Sequence, residues 1–285
     1  MSISYNRLGS NGRLGNQMFQ YAGFRGIAAN RGFDWIIPPP DAESTCNYGL
    51  FQCFKMTNVK EKNLGYGAPN WKTIDTGLFH FDEDLFNNCP DSVNLNSYFQ
   101  TEKYFKNIED QIREDFTFTD EIVSNCEEIL KEVGDAIFLH VRRGDPNLVD
   151  ARGFKWAYVN CQDQHPVQPL EYYEEALKLL PEDMPVLVFS DSIDWCKEQE
   201  FFAPDRFMFS EPEDKYADGA LVPYIDLCLM TLCDHAIIAN SSMSWWGAWL
   251  QKNPNKKVVA PKMWFGPAYS FHDTKDLYCE GWTVL

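Results

Sequence analysis

Residues 136–139 are four apolar positions that run into His140-Val141-Arg142-Arg143-Gly144-Asp145, and no other stretch limits the fold as much. An apolar run closed by Gly144 and Pro146 reads as a buried strand whose carboxyl end opens into a loop. In open α/β sheets that end is where ligands sit. Adjacent arginines on alternating faces cannot both enter a core, because a buried, unpaired charge is costly. Two readings stay open. One arginine faces an anion, for which the planar guanidinium fork suits a phosphate, or both belong to surface ion pairs.

The same rhythm continues toward the carboxyl terminus. Residues 186–189, 207–209, 236–239 and 257–260 read as short strands, with helices over 170–180, from 190–192 through 197, over 220–232 and from 242 onward. Strands alternating with helices predict a parallel, doubly wound sheet. Ser190-Asp191-Ser192 stands at a strand end, so Asp191 is either a helix cap or an acceptor for a ligand's donors. Asn240-Ser241-Ser242 turns strand into helix and offers hydroxyls beside free helix-end N–H groups, a natural phosphate seat. Trp245 and Trp246 could stack on a ligand ring or pack the core. The polar loop 146–168, with Trp156, Tyr158 and His165, is a candidate lid or acceptor wall.

In the amino-terminal half, residues 2–8 read as a first strand, and Gly9-Ser10-Asn11-Gly12-Arg13-Leu14-Gly15-Asn16 feeds a helix ending near Gly32. A glycine-rich turn at a helix amino end is either an anion seat or a plain capped loop. Glycines at 9, 12 and 15 give no dinucleotide fingerprint, and no Lys-Ser/Thr follows for a Walker loop. Residues 33–37 form a second strand, 41–107 have no sustained period, 94–105 is a strand entering a helix capped by Thr101, and 109–133 is one amphipathic helix. The expected division is an amino-terminal domain over 1–134, a second over 135–262, and a tail over 263–285 that packs back on the first.

A formal net charge of -17 argues against nucleic acid or an anionic membrane as the main partner. Any anionic ligand must then be held by a local cluster of arginines. Nine cysteines without a CxxC pair fit reduced thiols in a cytoplasmic protein. Nothing approaches a signal peptide or a membrane span.

Taken together, Gly12-Arg13-Leu14-Gly15-Asn16-Gln17-Met18-Phe19-Gln20-Tyr21-Ala22, His140-Val141-Arg142-Arg143-Gly144-Asp145 and Asn240-Ser241-Ser242-Met243-Ser244-Trp245-Trp246-Gly247-Ala248-Trp249 resemble the signature blocks of the α-1,2-fucosyltransferases, glycosyltransferase family 11. Phe189-Ser190-Asp191-Ser192 resembles a fourth block, in which the family often has a second acid where this chain has Ser192. The blocks come in the family's order and run across nearly the whole chain. The resemblance implies a GT-B-type α/β fold of two Rossmann-like halves, residues 1–134 on the acceptor side and 135–262 binding GDP-fucose, with the nucleotide-sugar site in the cleft between them. It also implies GDP-β-L-fucose as donor and inverting transfer to the 2-hydroxyl of a terminal galactose, with no cofactor and no bound metal.

By that resemblance Arg142 grips the donor's β-phosphate and Asn16 lies beside the sugar. His140 and Asp226 contact the guanosine part, Ser241 and Ser242 bind phosphate, and Asp191 lies near the nucleotide. Gly15 and Asn240 fall inside the matching blocks. Arg143 and Asp145 support their block through pairing. No proton acceptor for the acceptor hydroxyl is identified; Asp145 and the acids of the 41–110 region are candidates. Transfer to another sugar or a protein, and a silent glycan- or nucleotide-binding protein, are the competing expectations.

Overall fold

Ser2–Ser4 opens the first of two parallel sheets as β1, followed in chain order by α1 (Leu14–Arg31), β2 (Asp34–Ile36), α2 (Leu50–Cys53), β3 (Lys72–Ile74), α3 (Glu83–Asn88), β4 (Val93–Leu95) and α4 (Glu109–Asp115). The computed structural model describes residues 1–44, 46–146, 157–211 and 222–285. It divides into one unit of Met1–Thr119 with His272–Cys279 and another of Asp120–Phe271 with Glu280–Leu285.

In the first unit the strand order is β2-β1-β4-β3, with every pair parallel. Parallel neighbours need crossovers, and α1 supplies the one from β1 to β2. Its glycines and alanines let it sink into the core, so every residue from Leu14 to Ala28 is buried except Asn16. Arg25, on the same helix, pairs with buried Asp115 at 3.0 Å and lies 4.2 Å from the Trp35 ring centroid. Thr101 caps a short 3-10 turn at Glu102–Tyr104, where a longer helix was expected.

The single helix expected over 109–133 is two helices. Phe116 and Phe118 turn inward against Phe54, with ring centroids 4.9 and 5.0 Å away. The Lys55 N–H then bonds the Thr117 carbonyl and the Thr119 N–H bonds the Cys53 carbonyl, which takes the intervening backbone out of the helix. Tertiary packing overrides a continuous amphipathic pattern here.

The second half of that run is α5 (Asp120–Val133), and it belongs to the second unit, so the division falls after Thr119 rather than at 134. There follow β5 (Ile137–Val141), α6 (Leu170–Leu177), β6 (Val186–Ser190), α7 (Ile193–Lys197), β7 (Phe207–Phe209), α8 (Tyr224–Leu232), β8 (His235–Ile237), α9 (Ser242–Leu250), β9 (Val258–Ala260) and β10 (Thr283–Val284). The order is β10-β9-β8-β5-β6-β7, again parallel throughout. Ile137, Leu139 and Val141 of β5 and Val186 and Val188 of β6 share one core with Tyr172, Tyr173 and Ala176 of α6. That alternation sends Phe138 and His140 to the opposite face. Trp245 and Trp246 are fully buried 5.1 Å apart, which settles them as core. Of the tail, His272–Cys279 goes with the first unit, while its remainder, including β10 beside β9, goes with the second. Ala220 and Leu221, expected to begin α8, lie outside the described residues.

All nine cysteines are free thiols. Among the described residues no helix is long and apolar enough to cross a membrane.

Candidate functional site

Each sheet has one point where its winding reverses. In the second unit this is β5, flanked by β6 on one side and β8 on the other. Connections running in opposite directions from such a strand leave a crevice beyond its carboxyl end, where ligands of open α/β sheets bind. The expected residues gather here: His140 and Val141 end β5, Arg142 to Asp145 follow it, Asp191 follows β6, and Asn240 to Ser242 lead from β8 into α9.

Arg142 is held from two sides. Its Nη1 pairs with Asp191 Oδ2, and its guanidinium carbon lies 5.1 Å from the Tyr158 ring centroid. Asp191 Oδ1 also accepts the backbone N–H groups of Arg143 and Gly144, each at 2.9 Å. Asp191 therefore does not cap α7. Its carboxylate knots the turn that follows β5 and fixes the arginine in place. Gly144 turns there at φ +79°, and a Cβ would lie 2.7 Å from Ala157 Cβ. A third of the Arg142 side chain stays exposed, which leaves guanidinium N–H groups for a second anion.

Tyr158 joins the two halves of the crevice. Its hydroxyl donates to the Asn240 carbonyl at 3.2 Å, and its ring stacks on His165 at 4.9 Å. Sequence patterning places both in a candidate lid or acceptor wall; Trp156, of the same loop, lies outside the described residues. Arg143 turns away, 4.6 Å from the Trp195 ring centroid. Asp145 is exposed just past the Gly144 turn.

Ser241 occupies the N-cap of α9 with extended backbone and no side-chain cap bond, and Ser242 opens the helix. Helix geometry leaves the first-turn N–H groups without intrahelical acceptors, and the dipole favours an anion there. Asn240 does different work: its Nδ2 donates to the carbonyls of Pro166 and Trp264, clamping two loops.

The deeper groups are His140 and Asp226. His140 is buried and its Nδ1 has no hydrogen-bond partner among the described residues. Burial pushes its pKa down to about 4, so the ring is neutral at pH 7. Asp226, in the first turn of α8, is buried and accepts from Ser210 Oγ at 2.5 Å. Burial raises its pKa to about 6 despite that hydrogen bond. Ser210 escaped the sequence reading; its only signal is a place just past β7.

In the first unit the winding reverses at β1, between β2 and β4. Asn16, half-buried, sits at the amino end of α1, and Gly15 is buried beside it in the first turn. Buried Gln100, from the segment after β4, donates to Asn16 Oδ1 at 2.7 Å. Gly12 has φ +76°, and a Cβ there would fall 2.3 Å from Asn16 Nδ2. The glycine-rich turn is tied down by buried amides: Gln17 Nε2 reaches the Gly12 carbonyl and Gln20 Nε2 the Asn11 carbonyl. Gln100 lies 84 positions from its partner, a pairing no local pattern signals.

Among the described residues no cluster of three or more His, Cys, Asp or Glu is placed to hold a metal ion. The arrangement suits a phosphate ester: an arginine pre-set by a carboxylate, a serine-lined helix end, and a buried acid with a neutral imidazole.

The O-antigen biosynthesis glycosyltransferase WbnK of Escherichia coli is 30% identical over 298 residues, spanning 89% of this chain and 93% of its own. An α-1,2-colitosyltransferase of Escherichia coli is 29% identical across 93% of each chain. Human galactoside α-(1,2)-fucosyltransferase 1 is 25% identical over 84% of this chain and 64% of its own length. Among solved structures, NodZ α-1,6-fucosyltransferase co-crystallised with GDP shares the fold, with a TM-score of 0.51 at 14% identity over 86% of this chain and 91% of that one. The family described as Glycosyl transferase family 11 matches residues 2–285, and with that match the chain belongs to glycosyltransferase family 11, a group of GT-B-like α/β enzymes.

Proposed function

We propose that the protein moves L-fucose from GDP-β-L-fucose to the 2-hydroxyl of a terminal galactose, with inversion and without a metal ion. The observation that carries this reading is the fixed guanidinium of Arg142 beside the serine-capped start of α9, at the crevice where the second sheet reverses. As the glycosidic bond breaks, negative charge grows on the β-phosphate. Arg142 and the N–H groups behind Ser241 and Ser242 meet that charge in place already, so no reorganisation is needed at the moment of reaction.

Asp226, ionised above pH about 6, accepts the paired N–H donors of guanine, and neutral His140 supplies a further polar contact. The human relative named above is a galactoside α-(1,2)-fucosyltransferase, which favours galactose O2 as the acceptor atom. Asn16, oriented by Gln100, offers an amide to the fucosyl ring. The acceptor's proton passes to water or a departing phosphate oxygen, with Asp145 the candidate side chain on the second unit.

One observation favours a second reading. The α-1,2-colitosyltransferase of Escherichia coli matches over 93% of both chains, so colitose is the alternative sugar to transfer. The deciding experiment incubates the protein with GDP-fucose and lactose and analyses the product's linkage. An α-1,2-linked fucosyl galactoside is expected; no fucosyl product, alongside turnover of the colitosyl donor, supports the second reading. Fucose at another hydroxyl would contradict the assignment of O2.

A further inference from the structure

A closed circuit of contacts runs through Asn240, a residue to which the proposed reaction gives no part. Its backbone carbonyl accepts the Tyr158 hydroxyl at 3.2 Å. The Tyr158 ring stacks on His165, with centroids 4.9 Å apart. Pro166 comes next in the chain, and its carbonyl returns to the Asn240 side chain, whose Nδ2 donates to it at 3.0 Å. The other hydrogen on Nδ2 goes to the Trp264 carbonyl at 3.1 Å. Segment 158–166 is thereby fastened at both ends to the residue that precedes the α9 N-cap.

Both amide hydrogens are spent, so the side chain has one orientation. Turned over, it would set Oδ1 against two carbonyl oxygens. In the orientation it keeps, Asn240 is 2% exposed and its Oδ1 has no hydrogen-bond partner among the described residues. A buried acceptor left unmet costs stability. Leucine has nearly the same outline and carries no such oxygen, so packing alone does not account for an asparagine here. What the amide supplies and leucine cannot is the pair of donors that holds the two loops.

Tyr158 is where this circuit meets the anion grip. Arg142 lies between Asp191 and the Tyr158 ring, its guanidinium carbon 5.1 Å from the ring centroid. The Val159 N–H bonds the Arg143 carbonyl at 3.1 Å, which ties the same segment to the turn after β5. Asn240 is also covalently continuous with Ser241 and Ser242. One residue therefore joins the guanidinium on one side to the helix start on the other. In the proposed reaction these two parts meet the terminal phosphate of GDP together, and GMP has no such phosphate.

We infer that Asn240 is a positioning residue that holds Arg142 and the start of α9 at the separation a terminal phosphate spans, and so gives the protein its preference for a nucleoside diphosphate over a monophosphate. It acts through Tyr158 and is assigned no contact with the phosphates. This rests on the reading of the crevice as a sugar-nucleotide site.

The test compares two ligands. Calorimetric titrations of GDP and of GMP are run on the full chain as wild type, Asn240→Leu and Tyr158→Phe, with thermal melting to verify folding. Wild-type protein is expected to bind GDP more tightly than GMP. Asn240→Leu binds GDP about tenfold more weakly and GMP within about twofold of wild type. Tyr158→Phe keeps the ring beside Arg142 but releases it from Asn240, and GDP affinity falls about threefold, again with GMP unmoved. A general defect in the fold would weaken both nucleotides alike, so the ratio separates positioning from structure. The inference is overturned by wild-type protein that binds the two equally, or by Asn240→Leu that keeps the wild-type ratio. Should that variant not fold, a wild-type ratio in Tyr158→Phe overturns it instead. Failure of the sugar-nucleotide reading has a different signature: wild-type protein binds neither nucleotide.

Discussion

The two reversal crevices are built on the same plan from opposite materials. Each lies beyond the carboxyl ends of two central parallel strands, with the amino end of a buried helix beside it. The second unit furnishes its crevice with charge: the Arg142–Asp191 pair, Asp226, and the dipole of α9. The first furnishes its own with amides: Asn11, Asn16, Asn96 and Gln100, with the Asp75 carboxylate bonded to Asn96. Charge suits a ligand that is itself charged and gains more as it leaves. Amides suit a neutral polyol, whose hydroxyls need direction rather than field strength. One backbone plan thus carries two different linings, and the side chains just past the strands make the difference.

The largest effect expected from breaking this contrast is at Arg142. Replacing it by alanine removes a side-chain cation fixed beside the α9 start. Turnover falls about 10²–10³-fold, roughly 2.7–4 kcal/mol of transition-state stabilisation, with the circular dichroism spectrum unchanged. Initial rates of GDP release give the comparison. Next is Asp191→Ala, which frees Arg142 and strands the N–H groups of Arg143 and Gly144 together. A loss of about 1–3 kcal/mol in stability accompanies a kcat drop smaller than that of Arg142→Ala, readable from chemical denaturation and kinetics on one sample. In the first unit Gly12→Ala forces a strained left-handed alanine and displaces Asn16. It costs about 1–3 kcal/mol of stability, and kcat falls while GDP affinity holds, which separates the two crevices experimentally.

The pH response sharpens the comparison, because burial raises the Asp226 pKa in the charged crevice toward neutrality. Asp226 has its folded pKa raised to about 6 from 3.8, so its contribution to stability is complete below 3.8 and lost as pH rises through 6. In the proposed reading, the ionised form that remains above pH 6 is the one that accepts guanine N–H donors. GDP affinity, followed by calorimetry from pH 7.5 downward, should weaken below pH about 6, and Asp226→Asn should flatten that profile. His140 works the opposite way on stability: with its pKa lowered to about 4, its contribution is present above 6.5 and lost as pH falls. The smallest effect is expected from Tyr158→Phe. It keeps the ring over Arg142 and loses the hydrogen bond to the Asn240 carbonyl, worth about 0.5–1.5 kcal/mol in a melting experiment.

The charged crevice was the more legible of the two in sequence. Strands buried on both faces read as apolar runs, so β5, β6, β8 and β9 and the alternation around them were all visible, as were Arg142, Ser241 and Asp226 at or beside their ends. The roles of individual side chains were not, because they depend on contacts far apart in the chain. Asp191 reaches N–H groups about 48 positions away, and Gln100 reaches Asn16 across 84. Residues 41–107 stayed opaque for a different reason. β3 (Lys-Thr-Ile) and β4 (Val-Asn-Leu) mix polar residues into three positions and so show no apolar run, and the amides around them are polar residues that sequence patterning reads as loop. The break at 116–119 was hidden because the amphipathic pattern runs straight through it, and only packing against Phe54 declares it.

The proposed mechanism has a fixed guanidinium and a helix end do for departing GDP what a bound cation does elsewhere. The most direct measurement follows GDP release from GDP-fucose and lactose by wild-type protein before and after exhaustive chelation, then with magnesium or manganese restored. The account predicts one rate in all three conditions. A rate that vanishes with chelator and returns with the metal would contradict it.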